Sequence, residues 1–474
     1  MTGKKETLWT SDEVAQATGG DAVKAFAATG VSIDSRTLKP GDLYIALTGD
    51  RLDGHAFVEA AFKAGAAGAI VRKDFKGDFP LVRVEDTFKA LQELGRAARA
   101  RTRAKIIGVT GSAGKTGTKE MLATAFSAMG KTHASKKSFN NHWGVPLSLA
   151  SIPKDALFGI FEMGMNHTGE LAVLARMVRP EISVITTVDA VHIENFKSME
   201  EIVDAKAELF LGMDGNGIAI LNIDNPHYAR LKAQAAHLKK TLSFGEEEKA
   251  DARLIDCTLH ADSSRVTADI LGAKVKYRLN IPGKHIVHNS LGALAVVAAA
   301  GCDVALAAEA IKNAEPVEGR GNRLQIILAE GEAPVTIIDE SYNANPASML
   351  AAFEVFGMVE PEAGGRRVAV LGDMLELGKD GPRMHGDLAH PLLQAHADLV
   401  FCCGPQMEAL YQKMPPVWQG GHAPESKALA LQVVAAVKPG DVVLVKGSAG
   451  SKMAYVVEAL RALQCKTEGK QRAL

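Results

Sequence analysis

Four groups of residues in this 474-residue chain have side chains and spacings suited to phosphate and metal chemistry. The first is Gly111-Ser112-Ala113-Gly114-Lys115-Thr116, set between the apolar run 106–110 and the helical stretch 119–126. At a strand-to-helix junction, glycines let backbone N–H groups curl around phosphate oxygens, and the helix N-terminus adds the positive end of its dipole. Lys115 is then placed to neutralise phosphate charge and Thr116 to offer its hydroxyl to Mg²⁺. Two residues separate Gly111 from Gly114, where the general phosphate-loop pattern has four, and Gly117 follows directly. The second group is Glu162, closing the short apolar run Gly159-Ile160-Phe161. A carboxylate there can complete a Mg²⁺ shell with Thr116, because that ion takes oxygen ligands and bridges few protein groups to substrate phosphates. His192 follows the strand candidate 183–188, and taken alone it reads as a hydrogen-bonded loop residue. Lys206 falls on the apolar face made by Ile202, Val203, Leu209, Phe210 and Met213, behind a capping-box pattern Ser198-Met199-Glu200-Glu201. A lysine so placed snorkels, finds an anion or loses its charge by desolvation. A neutral amine near a metal could take up CO₂ as a carbamate and, with His192, hold a second Mg²⁺.

The elements that must position these groups alternate between strand and helix. Apolar runs 106–109, 159–161, 183–188 and 218–221 are separated by helical stretches up to about residue 315, the pattern of a largely parallel sheet covered by helices. In such a sheet the loops after the strand ends gather on one edge, which brings His192 toward the phosphate loop. Upstream, the β-like runs 43–47 and 69–71 and the helical stretch 56–64 make a small α/β unit, and a basic helical segment 96–105 leads into the phosphate-loop strand. Downstream, Glu315-Pro316-Val317-Glu318-Gly319-Arg320-Gly321-Asn322 reads as a linker. Strand candidates 336–338, 368–371, 398–402 and 442–445 then form a third alternation. Length also suggests about three domains. The expected fold is α/β in three domains, 1–103, 104–316 and 317–474: a small N-terminal α/β unit, a central phosphate-loop parallel sheet and a C-terminal Rossmann-like unit.

Composition narrows the partners. With 54 Lys+Arg against 55 Asp+Glu there is no global field to attract nucleic acid or an anionic membrane, so any anionic ligand must be held locally. The start of the chain has no apolar h-region, so no secretory signal is expected and the mature protein is expected to begin here. The most apolar long stretch, 291–300, is alanine-rich and too short to span a bilayer, and reads as a packed helix. The five cysteines lack C-x-x-C spacing, which points away from zinc and disulfides and toward a reducing cytoplasm.

Together these residues resemble the Mur ligases over essentially the whole chain, and within them the branch that adds D-alanyl-D-alanine to UDP-N-acetylmuramoyl-tripeptide. The 111–116 loop is similar to the family's short ATP signature. Glu162 in Phe-Glu-Met-Gly, His192 in Ala-Val-His-Ile-Glu and Lys206 in Asp-Ala-Lys-Ala-Glu stand where that family keeps a Mg²⁺ glutamate, a metal-binding histidine and a carbamylated lysine. Asp34-Ser35-Arg36 and Asp53-Gly54-His55 resemble its UDP-substrate domain, which implies substrate roles for Ser35 and Arg36. Phe139-Asn140-Asn141-His142-Trp143-Gly144 resembles its substrate segment, implying the same for Asn140 and Asn141; as bare sequence, adjacent asparagines could cap a helix instead. Asp339-Glu340-Ser341-Tyr342-Asn343-Ala344-Asn345-Pro346 is similar to the motif after its linker, which implies nucleotide contacts from Asp339, Tyr342 and Asn343, and 371–378 is similar to its next signature. Asn289 is retained near the expected adenine, although Ile286 replaces an asparagine after His285. Either Arg320 or Arg323 matches the linker arginine directed to phosphate. No Asp-Asn-Pro-Arg string is present, which separates the chain from the diaminopimelate-adding branch.

The resemblance implies ATP and two Mg²⁺ ions, carbamylated Lys206, and Lys115, His192 and Lys206 as catalytic residues in a monomer without membrane insertion. The reaction implied is phosphorylation of the tripeptide carboxylate, then attack by the dipeptide amine on the acyl phosphate. The rivals are a diaminopimelate-adding or folylpolyglutamate-type amide ligase, a phosphate-loop kinase or mechanical NTPase, and a nonenzymatic nucleotide binder. Folate ligases would not need the 34–36 unit, and product analysis separates the others.

Overall fold

Runs of Val, Ile and Leu bracketed by glycine and charge become buried strands, and the amphipathic stretches between them become the helices that cover them. In the structure, a computed structural model describing residues 6–49, 52–191 and 193–465, they build three main sheets. The first has five strands in the order Asp21–Ala22, Leu81–Val84, Gly68–Arg72, Asp42–Ile45 and Gly30–Ser32, parallel except at the Asp21–Ala22 edge. The second has nine. Its parallel part runs Ala252–Leu259, Lys240–Gly245, Ile218–Asn222, Ile182–Ile185, Lys105–Thr110, Phe158–Glu162 and Thr132–Ala134, and Ser264–Ile270 and Ala273–Leu279 extend it as an antiparallel meander. The third orders Asn322–Ile326, Val335–Glu340, Val442–Lys446, Arg367–Gly372, Leu399–Cys403 and Gln419–Ala423, parallel except for Asn322–Ile326.

The expected α/β architecture is present, with local differences. The helical stretch 56–64 opens as a 3₁₀ turn, Gly54–Phe57, before the α-helix Val58–Lys63. The segment 96–105 is only the tail of a longer helix, Thr87–Arg101, which starts where the Asp86 carboxylate accepts from the Phe88 and Lys89 N–H groups; Lys105 already belongs to the next strand. The apolar stretch 291–300 forms the second half of the helix Lys284–Ala299 and its C-cap, Ala300. No helix among the described residues is long and apolar enough to cross a membrane.

The first two units share one core. Trp9, Leu43, Ile70, Leu91 and Leu94 are continuous with Leu147, Leu149, Phe161 and Leu171. Helix Thr87–Arg101 lies against Gly144–Ala150, close enough that a Cβ on Gly95 would stand 3.1 Å from the Pro146 carbonyl oxygen. The Trp9 indole N–H donates to the Ala150 carbonyl at 2.8 Å. The junction at 101–104 is therefore packed rather than hinged. On the opposite face of the central sheet, Ile107, Phe126, Leu291 and Val296 form a second core, so the phosphate-loop strand is fixed from both sides.

Candidate active site

The phosphate loop leaves the end of Lys105–Thr110 and runs straight into helix Lys115–Ser127. Gly111 (φ +149°) and Gly114 (φ +80°) have backbones that favour glycine. A Cβ on Gly111 would collide with Thr186 Oγ1, and one on Gly114 would stand 2.7 Å from Asn289 Nδ2. The loop is laced to the neighbouring strand end. Ser112 N–H donates to Thr187 O at 2.8 Å, Ser112 Oγ donates to Asp189 O at 3.0 Å, and Asp189 N–H donates to Ser112 Oγ at 2.9 Å. No side chain caps the helix at Gly114, so its first amides face outward, as an anion site requires. At Gly117 a Cβ would meet nothing within 4 Å, so packing does not require a glycine there.

Half-buried Lys115 and fully buried Glu162 and Thr116 sit behind the loop. Lys115 Nζ donates to Gly111 O at 2.8 Å; burial pushes its pKa down to about 8, against the pull of Glu162 and with a further push from Arg320. Glu162 is fully buried, with Oε1 accepting from Asn140 Nδ2 at 2.7 Å and Oε2 without a hydrogen-bond partner among the described residues. A buried carboxylate oxygen left unpaired is costly, and a divalent cation is one group that would satisfy it. Thr116, also fully buried, has its Oγ1 3.2 Å from Ser138 Oγ. Oxygen donors from Thr116 and Glu162 are the hard ligands that Mg²⁺ prefers.

Lys206 does not snorkel. The residue is 2% exposed, and burial, then the Lys115 charge, hold its pKa well below the usual lysine range. Its helix, Met199–Ala207, gives way to a 3₁₀ stretch, Glu208–Gly212, so the apolar face expected through Met213 spans two elements. The capping box closes on one side only. Ser198 Oγ accepts from Glu201 N–H at 3.4 Å, but the Glu201 carboxylate takes the Lys197 N–H at 2.7 Å, because the turn before the helix presents that amide. His192 lies outside the described residues.

A cavity of about 870 Å³ opens in front of these groups, between the central and third sheets. Ser112, Ala113, Gly114, Lys115 and Gly117 line it from the loop, Asn140, Asn141 and Asn289 from the central unit, and Arg320, Tyr342 and Asn343 from the far side. The two asparagines divide their work: Asn140 turns to Glu162, whereas Asn141 Oδ1 accepts from the N–H groups of Trp143 and Gly144 at 3.1 and 2.9 Å and starts the next helix. Arg320 is held by its linker, where Gly321 N–H donates to Asp339 O and Tyr342 N–H to Gly319 O. Its guanidinium lies 4.3 Å over the Tyr342 ring and donates to Ser138 Oγ at 3.4 Å. Arg323 sits on strand Asn322–Ile326 with Asp262 as its charged neighbour, away from the cavity wall.

Other expected residues stand apart. Asp339 is buried, and its carboxylate accepts from the Ser341 N–H and hydroxyl, which leaves it off the cavity lining. Ser35 and Arg36 are in the first unit; Arg36 is exposed and paired with Asp34 at 2.7 Å, also off the cavity lining. Sequence reasoning missed Lys446, 2% exposed, whose Nζ donates to Glu340 Oε2 at 3.2 Å and Asn343 O at 3.0 Å on the cavity wall. It closes an apolar strand, the same signal that marked Glu162. It also missed Ser138, which touches both Thr116 and Arg320.

Fold and site together define a three-unit α/β protein whose phosphate loop opens on a cavity between two sheets. Family comparison finds three matches: the Mur ligase family, catalytic domain, over residues 27–125, the Mur ligase middle domain over 109–297, and the Mur ligase, glutamate ligase domain, over 322–449. The chain belongs to the Mur ligase family. It is 31% identical over 455 residues to a UDP-N-acetylmuramoyl-tripeptide--D-alanyl-D-alanine ligase of Rickettsia prowazekii, covering 95% of this chain and 99% of that one. Its fold is similar to a crystal structure of MurF from Acinetobacter baumannii, with TM-score 0.81, 28% identity and coverage of 96% and 99%. It is also similar to MurF ligase from Thermotoga maritima in complex with ADP, with TM-score 0.74, 26% identity and coverage of 92% and 97%.

Proposed function

We propose that this chain joins D-alanyl-D-alanine to UDP-N-acetylmuramoyl-tripeptide at the expense of ATP, which becomes ADP and phosphate. The reading is supported above all by one observation: the phosphate loop and Arg320 from the linker line a single cavity, and Glu162, whose Oε2 has no partner among the described residues, stands behind that wall, held by the lining residue Asn140. The relatives named above supply the substrates. The domains are taken as 1–103 for the UDP-substrate, 104–316 for ATP and 317–474 for ligation, and Ser35 and Arg36 as substrate residues of the first.

A carboxylate cannot expel oxide, so the tripeptide carboxylate oxygen first attacks the γ-phosphorus of ATP, forming a P–O bond as the bond to ADP breaks. The dipeptide amine then attacks the acyl carbon, phosphate leaves with its electron pair, and the amine gives up a proton. Both first-step reactants are anionic. Lys115, the outward amides behind Gly114 and Arg320 offset that repulsion and align the phosphates. Asn289 borders the loop at Gly114, and Tyr342 and Asn343 close the nucleotide side, while Asp339 acts through the turn that carries them. Asn140 orients Glu162, and Asn141 shapes the substrate segment beside it.

Thr116 and Glu162 are the residues that would hold one Mg²⁺, and His192 with a carbamylated Lys206 a second; bound there, the ions supply charge neutralisation across the phosphates. The enclosed Lys206 amine, which burial and the Lys115 charge bias toward its neutral form, suits carbamate formation, in which its lone pair bonds to CO₂ carbon and one proton is released. Walls from two sheets exclude water that would hydrolyse the acyl phosphate. The cavity is built from one chain, so a monomer suffices, and five free cysteines are consistent with the cytoplasm.

The test is product analysis. ADP and phosphate should appear only when both the UDP-linked tripeptide and D-alanyl-D-alanine are present. ATP consumption with either alone would favour a kinase or NTPase, and turnover with single amino acids would favour another amide ligase.

A further inference from the structure

Lys119, one turn beyond Lys115 on the phosphate-loop helix, is fully buried and is not needed by the reaction as described. Its ammonium donates to Ser135 O at 2.7 Å and Lys137 O at 2.9 Å, and meets Glu120 Oε1 at 2.5 Å. Three donors thus have three acceptors, the full complement of an ammonium. Two of those acceptors are backbone carbonyls of the loop that follows strand Thr132–Ala134. Lys137 there has φ +47°, a conformation that a residue with a Cβ rarely adopts unaided. Immediately after it come Ser138, touching Thr116 and Arg320, and Asn140, which donates to Glu162.

We infer that Lys119 is a positioning residue, a clamp that fixes loop 135–140 so that Ser138 and Asn140 hold Thr116, Arg320 and Glu162 in register for the metal and the phosphates. Without the clamp, the buried Ser135 carbonyl and the part-buried Lys137 carbonyl lose their donor and the left-handed turn at Lys137 loses its restraint, so the outer partners of the metal ligands drift while the ligands themselves remain. The inference rests on reading Thr116 and Glu162 as the metal pair. It adds a link between that pair and the start of the loop, where the ammonium holds the Ser135 and Lys137 carbonyls.

The test is calorimetric titration of the full chain with ADP, with and without Mg²⁺, reading the factor by which Mg²⁺ tightens binding. Loss of an outer partner of a metal ligand typically weakens metal affinity by about 10- to 100-fold, so Lys119→Met should cut that factor by about tenfold. Lys105→Met removes a similar contact, Lys105 Nζ to Ala300 O at 2.9 Å, at the start of strand Lys105–Thr110, the end away from the phosphate loop, and should lower Tm while leaving the factor alone. If Lys119→Met does not fold, Lys119→Gln, which keeps donors on a shorter arm, should give an intermediate factor. An unchanged factor in the folded Lys119 variant, or an equal fall in Lys105→Met, overturns the inference. Glu162→Gln separates the two levels: if it too leaves the factor unchanged, the metal reading itself fails; if it alone lowers the factor, only the clamp is wrong.

Discussion

Lys115 should make nucleotide binding depend on pH in a range where an ordinary lysine is silent. In the free protein, burial brings its pKa down to about 8. Phosphate in the loop needs the ammonium, so binding above that pKa must take up a proton. With a free pKa near 8, roughly nine-tenths of the amine is charged at about pH 7 and roughly one-tenth at about pH 9, a loss of about tenfold in affinity, or about 1.4 kcal/mol. Phosphate's own last proton leaves near pH 6, below this window. Burial and the Lys115 charge also hold Lys206 well below the usual lysine range. The sign for stability runs the other way. Between about 8 and about 10.5 the unfolded lysine holds a proton that the folded one has released, so this group makes the empty protein more stable as pH rises. Calorimetry of ADP binding in buffers of different ionisation enthalpy should show proton uptake climbing toward one through pH 8, and Lys115→Met should abolish both the slope and most of the affinity. A flat affinity with no proton uptake across the window would refute the desolvated-ammonium argument.

Lys206→Ala should lose about 10- to 100-fold or more in turnover and recover part of it with a small added carboxylate, and ¹³CO₂ should give a carbamate signal in the native chain that the variant lacks. Gly114→Ala should cost about 1 kcal/mol in backbone strain and displace Asn289, so ADP affinity falls more than Tm, read by calorimetry and thermal melting. Arg320→Lys should weaken ATP use, since an ammonium cannot both lie over Tyr342 and reach Ser138, whereas Arg323→Lys should move Tm and leave KM for ATP unchanged. Lys115→Ala should abolish turnover with far-UV circular dichroism unchanged; ordinary activity would sink the ATP assignment.

What the sequence determined by itself was whatever is encoded within a few residues: the phosphate loop, whose glycines, lysine and threonine must be contiguous, and the central strands, whose apolar runs are buried on both faces. The oddity of Lys206 was also legible, because one charge among helical apolar neighbours is a local contradiction. The edge strand Gln419–Ala423 was not, since Gln-Gly-Gly-His-Ala has little strand propensity and exists only because Leu399–Cys403 offers it a ladder. Tertiary structure alone decided that the first two units share a core, that Arg320 rather than Arg323 faces the cavity, and that Asn140 serves Glu162 while Asn141 serves a helix. Each of those outcomes depends on which partner a side chain meets across a long sequence separation, and spacing along the chain carries no information about that distance.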